Sequence, residues 1–282
     1  MKLASFLVSG STSYGTVVAD GVIDMGRRLG HRFPTLRSAL AADALGEIAR
    51  TAEGVRPDYV LADLQLLPPI PDPDKIVCVG RNYKGHVAEG NMKLPEQPSL
   101  FLRLTNTLVG HGGALVRPRL SGDMDFEGEL AIVIGKPGRH IAKDMALRYV
   151  AGYACFNDAS LRDVQFKHSL TAGKNFFATG GFGPWLVTAD EIPDPTQLTL
   201  STRLNGSQMQ KTRTDDLIFD LPTIVSYISG FTPLVPGDVI ATGTPEGVGF
   251  ARKPPLWMKP GDEVDIEVSG IGVLRNSVVA ED

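Results

Sequence analysis

The stretch Asp125-Phe126-Glu127-Gly128-Glu129-Leu130-Ala131-Ile132-Val133-Ile134-Gly135 constrains the fold more than any other, because two glutamates lead directly into a β-branched apolar run. Successive strand side chains alternate faces, so Glu127 and Glu129 point one way and Gly128 the other. Two carboxylates about 7 Å apart on one face repel unless positive charge sits between them. A hard divalent cation is the simplest source of that charge. A second apolar run, Tyr149 to Phe156, ends at Asn157-Asp158 and offers a third carboxylate from a strand end. Glu127, Glu129 and Asp158 would form an oxygen-only ligand set, which suits Mg²⁺ or Mn²⁺, with Ca²⁺ also compatible, rather than zinc. The competing reading is a solvated strand edge.

Around this strand the chain divides at Leu67-Pro68-Pro69-Ile70-Pro71-Asp72-Pro73-Asp74, which can continue neither a helix nor a central strand. Residues 1–70 are expected to form a small N-terminal α/β module, with strands near Lys2–Val8 and Gly15–Ala19. A single helix should follow, carrying Leu36, Leu40, Ala44, Ile48 and Ala52 on one stripe. Residues 71–282 read as many short strands between Gly and Pro turns, giving an α+β, predominantly β class. Within them, Asp220 to Ser229 is the clearest helix: Asp220 can cap it, Pro222 suits its first turn, and Leu221, Ile224, Val225 and Ile228 share a face. Pro236-Gly237-Asp238 and Pro260-Gly261-Asp262 should each introduce a strand.

The chemistry-bearing residues are few. His86 and Glu89 stand three apart, neighbours on a helical turn, and a carboxylate beside imidazole orients its proton and raises its basicity. In Thr242-Gly243-Thr244-Pro245, glycine lets backbone N–H groups approach an anion, and a threonine hydroxyl adds a donor. Arg103 could grip a carboxylate through two parallel hydrogen bonds or equally form a structural salt bridge. Of the other histidines, only His111 has a setting that could line a site. No Gly-x-Gly-x-x-Gly joins a strand to a helix, so no nucleotide cofactor is expected, and no nucleophile elbow surrounds Ser160. A net charge of -4 offers no general attraction to nucleic acid or anionic membrane, and no 18-residue apolar stretch exists. Cys78 and Cys155 both lie in apolar runs and are expected to be buried free thiols, as in a reducing cytoplasm.

Read in order, Val79-Gly80-Arg81-Asn82-Tyr83 with His86 and Glu89, then Glu127-Gly128-Glu129, Asn157-Asp158, Gly173-Lys174, Gly183-Pro184-Trp185 and Ala241-Thr242-Gly243-Thr244-Pro245-Glu246-Gly247-Val248-Gly249 resemble the fumarylacetoacetate hydrolase family over about residues 75 to 279. The resemblance implies a mixed β-sandwich roll and a homodimer. It implies that His86 and Glu89 sit on a mobile lid, bracketed here by Gly80, Gly85 and Gly90, and that Arg81 and Tyr83 contact substrate. Lys174 would face a substrate oxygen near the metal, and Thr244 and its neighbours would hold a carboxylate. Two positions depart from many relatives: Arg103 replaces a lysine, and Phe177 an aspartate.

The function expected on this basis is metal-dependent hydrolysis of a carbon–carbon bond in a 2,4-diketo acid of acylpyruvate type, releasing pyruvate or a close analogue. His86 and Glu89 would activate water, and Lys174 would stabilise the departing enolate. The alternative is a decarboxylase or tautomerase of 2-oxo acids, of the oxaloacetate or 2-hydroxyhepta-2,4-diene-1,7-dioate type, in aromatic or sugar acid catabolism. A non-catalytic metabolite-binding protein fits less well, since ligands, base and lysine occur together.

Overall fold

The computed structural model describes residues 1–282. It begins with a meander of β1 (Lys2–Val8), β2 (Ser11–Val18) and β3 (Gly21–Asp24). Helices α1 (Met25–Leu29), α2 (Leu36–Ala41) and α3 (Leu45–Ala52) and the two-residue strands β4 (Tyr59–Val60) and β5 (Gln65–Leu66) complete the N-terminal part. After the proline-rich segment come β6 (Ile76–Gly80), α4 (Lys84–Glu89), β7 (Ser99–Arg103), β8 (Leu108–Val109), β9 (Ala114–Arg117), β10 (Met124–Asp125), β11 (Gly128–Ile134), β12 (Val150–Asn157) and β13 (Ser160–Leu161). The chain then forms α5 (Arg162–Lys167), α6 (Leu170–Lys174), β14 (Gly180–Thr188), β15 (Thr199–Leu204), β16 (Ser207–Arg213), α7 (Leu221–Phe231), β17 (Val239–Ala241), β18 (Glu263–Val268) and β19 (Gly272–Ala280). This strand-rich α+β fold is the expected class, and no helix is long and apolar enough to cross a membrane.

A large mixed sheet runs in the order β4-β3-β2-β1-β14-β12-β11-β17-β6-β7, with β5 on β1 and β8 on β14. A second sheet, β16-β15-β18-β19-β9, packs across it. Because side chains alternate, Leu130, Ile132 and Ile134 of β11 join the core shared with Leu200, Ile266, Leu274 and α7. Ala131 and Val133 face the opposite core, together with Leu3, Tyr14 and Ile48 from the N-terminal part. The proline-rich segment carries neither strand nor helix, yet sheet and core continue across it. Strand β1 pairs antiparallel with β14 at Lys2↔Val187 and Leu3↔Leu186. The first 70 residues therefore extend the large sheet.

Two expectations about this part need correction. The single helix over Leu36–Ala52 is two helices, because Asp43 adopts a left-handed φ of 52° and restarts the chain direction. Aspartate tolerates that conformation better than most residues. Leu36, Leu40, Ala44 and Ile48 are nonetheless all buried in one core. The second strand starts at Ser11, not Gly15, and ends before Ala19, which turns at φ 47°. Helix α7 forms as expected, with Asp220 accepting a hydrogen bond from the Thr223 N–H at 2.8 Å. Both Pro-Gly-Asp turns lead into strands, β17 and β18.

Candidate active site

Glu127 lies immediately before β11, and Glu129 is its second residue. Gly128 points to the opposite side, where a Cβ would lie 2.1 Å from Thr202 Oγ1 of the second sheet. Glycine at 128 thus lets the two sheets close tightly beneath the acids. Opposite Gly128 stands Asn157, the last residue of β12, so Asp158 emerges beside Glu127 and donates its N–H to the Glu127 carbonyl at 2.9 Å. Each of Glu127, Glu129 and Asp158 places a carboxylate oxygen within 4.8 Å of the others, and all three are buried. Strand alternation and a strand end together build the acidic triad that the sequence indicates.

Three buried cations surround these acids. Lys174, at the end of α6, donates from Nζ to Glu127 Oε2 at 2.5 Å, Asp158 Oδ2 at 2.6 Å and the Asp158 carbonyl at 2.8 Å. Arg103 donates to Asp158 Oδ1 at 2.6 Å and to the Ala159 carbonyl, Thr107 and Thr179. Arg162 bonds Glu127 Oε1 with one nitrogen and Asp125 Oδ2 with another at 2.8 Å. Burial alone would push Lys174 down, but Asp158 and Glu127 outweigh it and hold its pKa raised. Burial likewise pushes Glu127 up, and Arg162, Lys174 and His86 overcome it, lowering its carboxyl to about 2.

Glu129 differs. Its one hydrogen bond is from the Gly243 N–H at 2.8 Å, and no basic side chain touches it. Burial, then the neighbouring Asp158 and Glu127, drive its pKa well above the ordinary carboxylate range. A buried carboxylate without a cation, beside two others, is the electrostatic signature of a site built for an added positive ion. With three oxygen donors on firmly held backbone, Glu127, Glu129 and Asp158 fit a hard divalent cation.

Facing the triad is α4. His86 Nδ1 lies 2.9 Å from Glu89 Oε1, and Glu89 Oε2 accepts from the Gly247 N–H at 2.8 Å. The imidazole is edge-on to Phe250, with ring centroids 6.3 Å apart. A cavity of about 280 Å³ separates this wall from the acids and is lined by His86, Arg81, Lys174, Thr244 and the triad, among others. Gly85, expected as a lid hinge, serves as a close contact: a Cβ there would lie 2.1 Å from Glu246 Oε2.

Not every candidate reaches the cavity. Glu89 stands behind His86. Tyr83 is 1% exposed and faces away, lining a separate polar depression with Asp215, Asp216 and Glu246. Its divergence from Arg81 follows from the left-handed φ of 59° at Arg81 and from Asn82, whose amide is locked to Phe219 and Thr242. Arg103 is the structural salt bridge of the two readings left open, with its guanidinium committed to Asp158. Gly243 gives its N–H to Glu129, so that donor is not free for a substrate anion. His111 lies on another surface, near Trp185 and Leu64. Phe177 is exposed outside the cavity. Sequence reasoning missed Arg162, Gln165, Phe166 and Phe250 on the cavity wall and Asp125 behind it. The one available signal was local: Arg162 and Gln165 follow Asp158 closely, in the helical segment leading to Lys174.

Comparison with known proteins gives the family. Residues 75–279 match the model of the fumarylacetoacetate hydrolase C-terminal domain. The chain is 39% identical over 243 residues to a mitochondrial oxaloacetate tautomerase, Fahd2a, of Rattus norvegicus, covering 83% of this chain and 78% of that one. Among solved structures, maleylpyruvate hydrolase from Sphingobium sp. SYK-6, in complex with manganese(II) and pyruvate, superposes with a TM-score of 0.84 at 31% identity over 100% of both chains. The 2-hydroxyhepta-2,4-diene-1,7-dioate isomerase of Mycobacterium marinum superposes with a TM-score of 0.75 at 32% identity, over 100% of this chain and 99% of that one. With its family domain spanning most of its length and a buried acidic triad facing a His–Glu pair, the chain belongs to the fumarylacetoacetate hydrolase family of enzymes.

Proposed function

We propose that this protein is a divalent-cation-dependent enzyme that interconverts the keto and enol forms of a 2-oxo acid of the oxaloacetate type. Charge carries the reading: lining one cavity or packed directly behind its wall, four buried carboxylates, Asp125, Glu127, Glu129 and Asp158, meet three buried cations, Arg103, Arg162 and Lys174, none more than 5% exposed. With all four acids ionised, a divalent cation, Mg²⁺ or Mn²⁺, turns that deficit into a single positive charge, which one carboxylate of a 2-oxo acid neutralises, leaving a second carboxylate for Arg81. The tautomerase relatives at 39% identity support the same chemistry, which moves the emphasis from the hydrolase expected from sequence to its alternative.

A cation held by Glu127, Glu129 and Asp158 would polarise the 2-oxo group and acidify the adjacent C–H. The rest falls to the protein. Glu89 accepts from His86 Nδ1–H, leaving Nε2 to take the proton from C3 of the substrate and make it available to the 2-oxo oxygen. The Lys174 ammonium stabilises negative charge developing on that oxygen. Arg81 lines the cavity, forms none of the site's ion pairs and stands at a strained positive φ, so its guanidinium is free to grip a carboxylate. Thr244 lines the wall as a second polar contact.

A second reading, hydrolysis of an acylpyruvate carbon–carbon bond, is favoured by the apolar wall of Val79, Met92 and Leu170, which can receive an acyl chain. There His86 would take its proton from water as the water attacks the distal carbonyl, and the enolate of pyruvate would leave. The solved maleylpyruvate hydrolase supports this reading. Incubation with oxaloacetate and an acylpyruvate panel, following enol absorbance and identifying products, separates them: an isomer alone supports tautomerisation, pyruvate plus a second acid supports hydrolysis, and carbon dioxide supports decarboxylation. His86→Ala should lower kcat on the order of 10²- to 10⁴-fold in either of the first two reactions. A wild-type rate in that variant would overturn the assignment of the base. A homodimer, and a reducing compartment such as the cytoplasm for the buried thiols of Cys78 and Cys155, complete the proposal.

A further inference from the structure

We propose that Asp125 is a positioning residue that couples the wall of metal-binding acids to the wall that carries His86; the proposal rests on the acid–base reading above. Asp125 ends β10, pairs with Ser160 of β13 and is 0% exposed, with no face on the cavity. Its two oxygens take four hydrogen bonds. Oδ1 accepts from the N–H groups of Gly249 at 2.6 Å and Phe126 at 2.9 Å, and Oδ2 from Arg162 Nε at 2.8 Å and the Phe250 N–H at 3.1 Å.

Through Arg162 the carboxylate reaches the acids. That guanidinium is held between Asp125 and Glu127 and donates its remaining nitrogen to Gln165 at 3.0 Å, so its plane, and with it the Glu127 carboxylate, is fixed by Asp125. Through the turn at 249–250 the same carboxylate reaches the base. The Phe250 ring meets His86 edge-on at 88°, carries the Arg162 guanidinium 4.6 Å above its centroid, and contacts Phe166 at 5.8 Å. Gly249 permits this arrangement: a Cβ there would lie 1.9 Å from the Leu256 carbonyl and 2.5 Å from Asp125 Oδ1. The preceding Gly247 N–H binds Glu89, so residues 247–250 hold the His86–Glu89 pair at both ends. Asp125 anchors that segment to the arginine that sets Glu127, and the two walls share one register.

All four partners are donors, and an amide at 125 would turn an NH₂ toward two of them. Asp125→Asn and Phe250→Leu, each in the full chain, discriminate the roles through kcat and KM for the 2-oxo acid, the Kd for Mn²⁺ followed by electron paramagnetic resonance, and the thermal midpoint. Asp125→Asn should lower kcat by about 10- to 100-fold and weaken Mn²⁺ binding by a similar factor, the usual cost of disturbing residues that orient ligands, with KM little changed. Phe250→Leu removes the ring that meets His86 and covers Arg162 but keeps the backbone N–H to Asp125 and the Asp125–Arg162–Glu127 hydrogen bonds, and should lower kcat while Mn²⁺ binding is retained. A lowered thermal midpoint with kcat and Mn²⁺ affinity intact in Asp125→Asn would show a purely structural role and overturn the proposal. Should that variant not fold, an unchanged kcat in Phe250→Leu overturns the coupling to His86. If the wild type turns over no 2-oxo acid, the functional reading fails, while the Mn²⁺ titrations still decide whether Asp125 sets the acids.

Discussion

Single residues of this site divide into those that meet the substrate space and those that hold others in place. Arg103 belongs to the second kind: fully committed to Asp158, Thr107, Thr179 and the Ala159 carbonyl, it shares with Lys174 the neutralisation of a buried carboxylate. Arg103→Ala leaves Asp158 to Lys174 alone and should cost about 3 kcal/mol, the lower end of the range for breaking a buried pair, measurable by urea unfolding. Glu129→Ala is its converse. Because its ionised form is disfavoured where it stands, its loss should leave the thermal midpoint of the metal-free protein unchanged or raised while abolishing Mn²⁺ binding and activity. A chelator should silence the wild type in the same way, and added Mg²⁺ or Mn²⁺ should restore it. The triad and the His86–Glu89 pair were legible in sequence because strand alternation and helical spacing are local rules. Asp125, Arg162 and Phe250 were not, since their meeting depends on the β10–β13 pairing and on a turn 125 residues downstream of Asp125.

Elements follow the same division. Helix α7 was legible because cap, proline and apolar face all lie within its own span. The break between α2 and α3 was not, because Asp43 turns the chain without interrupting the apolar spacing. The loop joining β8 to β9 holds His111, half-buried, with Nδ1 accepting the Arg275 N–H at 3.2 Å. Burial, helped by Arg275, lowers its pKa against the pull of Val273 and Asp265. The unfolded chain then binds more protons at this position, so stability is lost as pH falls below about 6.5 and through the depressed folded value. Unfolding by urea at pH 7 and pH 5 should show a smaller acid loss in His111→Gln than in the wild type. An equal loss in both would assign the acid sensitivity elsewhere.

At the scale of the molecule, the large sheet ends on β7, and beside that edge Leu102, Leu104 and Phe177 are 54%, 59% and 69% exposed. Asn175, two residues before Phe177, accepts from the Leu104 N–H and donates to the Leu102 carbonyl. An apolar patch on a sheet edge invites a partner surface. Light scattering should show a homodimer, and Leu102→Asp should shift it toward monomer without lowering the monomer's helical and strand content. A wild type that stays monomeric at micromolar concentration removes the dimer from the proposal. The proline-rich segment was legible as a stretch without strand or helix; that the residues on either side of it share one sheet was not, because β1 finds β14 more than 170 residues away.

That pairing has a consequence for the life of the chain. Strand β1 occupies the flank of β14 at Leu186 and Val187, so a chain shortened to the family domain would present raw backbone N–H and C=O groups there. The N-terminal part thus acts as a built-in guard against self-association. Proteolytic trimming near residue 70, or synthesis from a later start, should yield a product that expresses but precipitates, even with every residue of its active site intact.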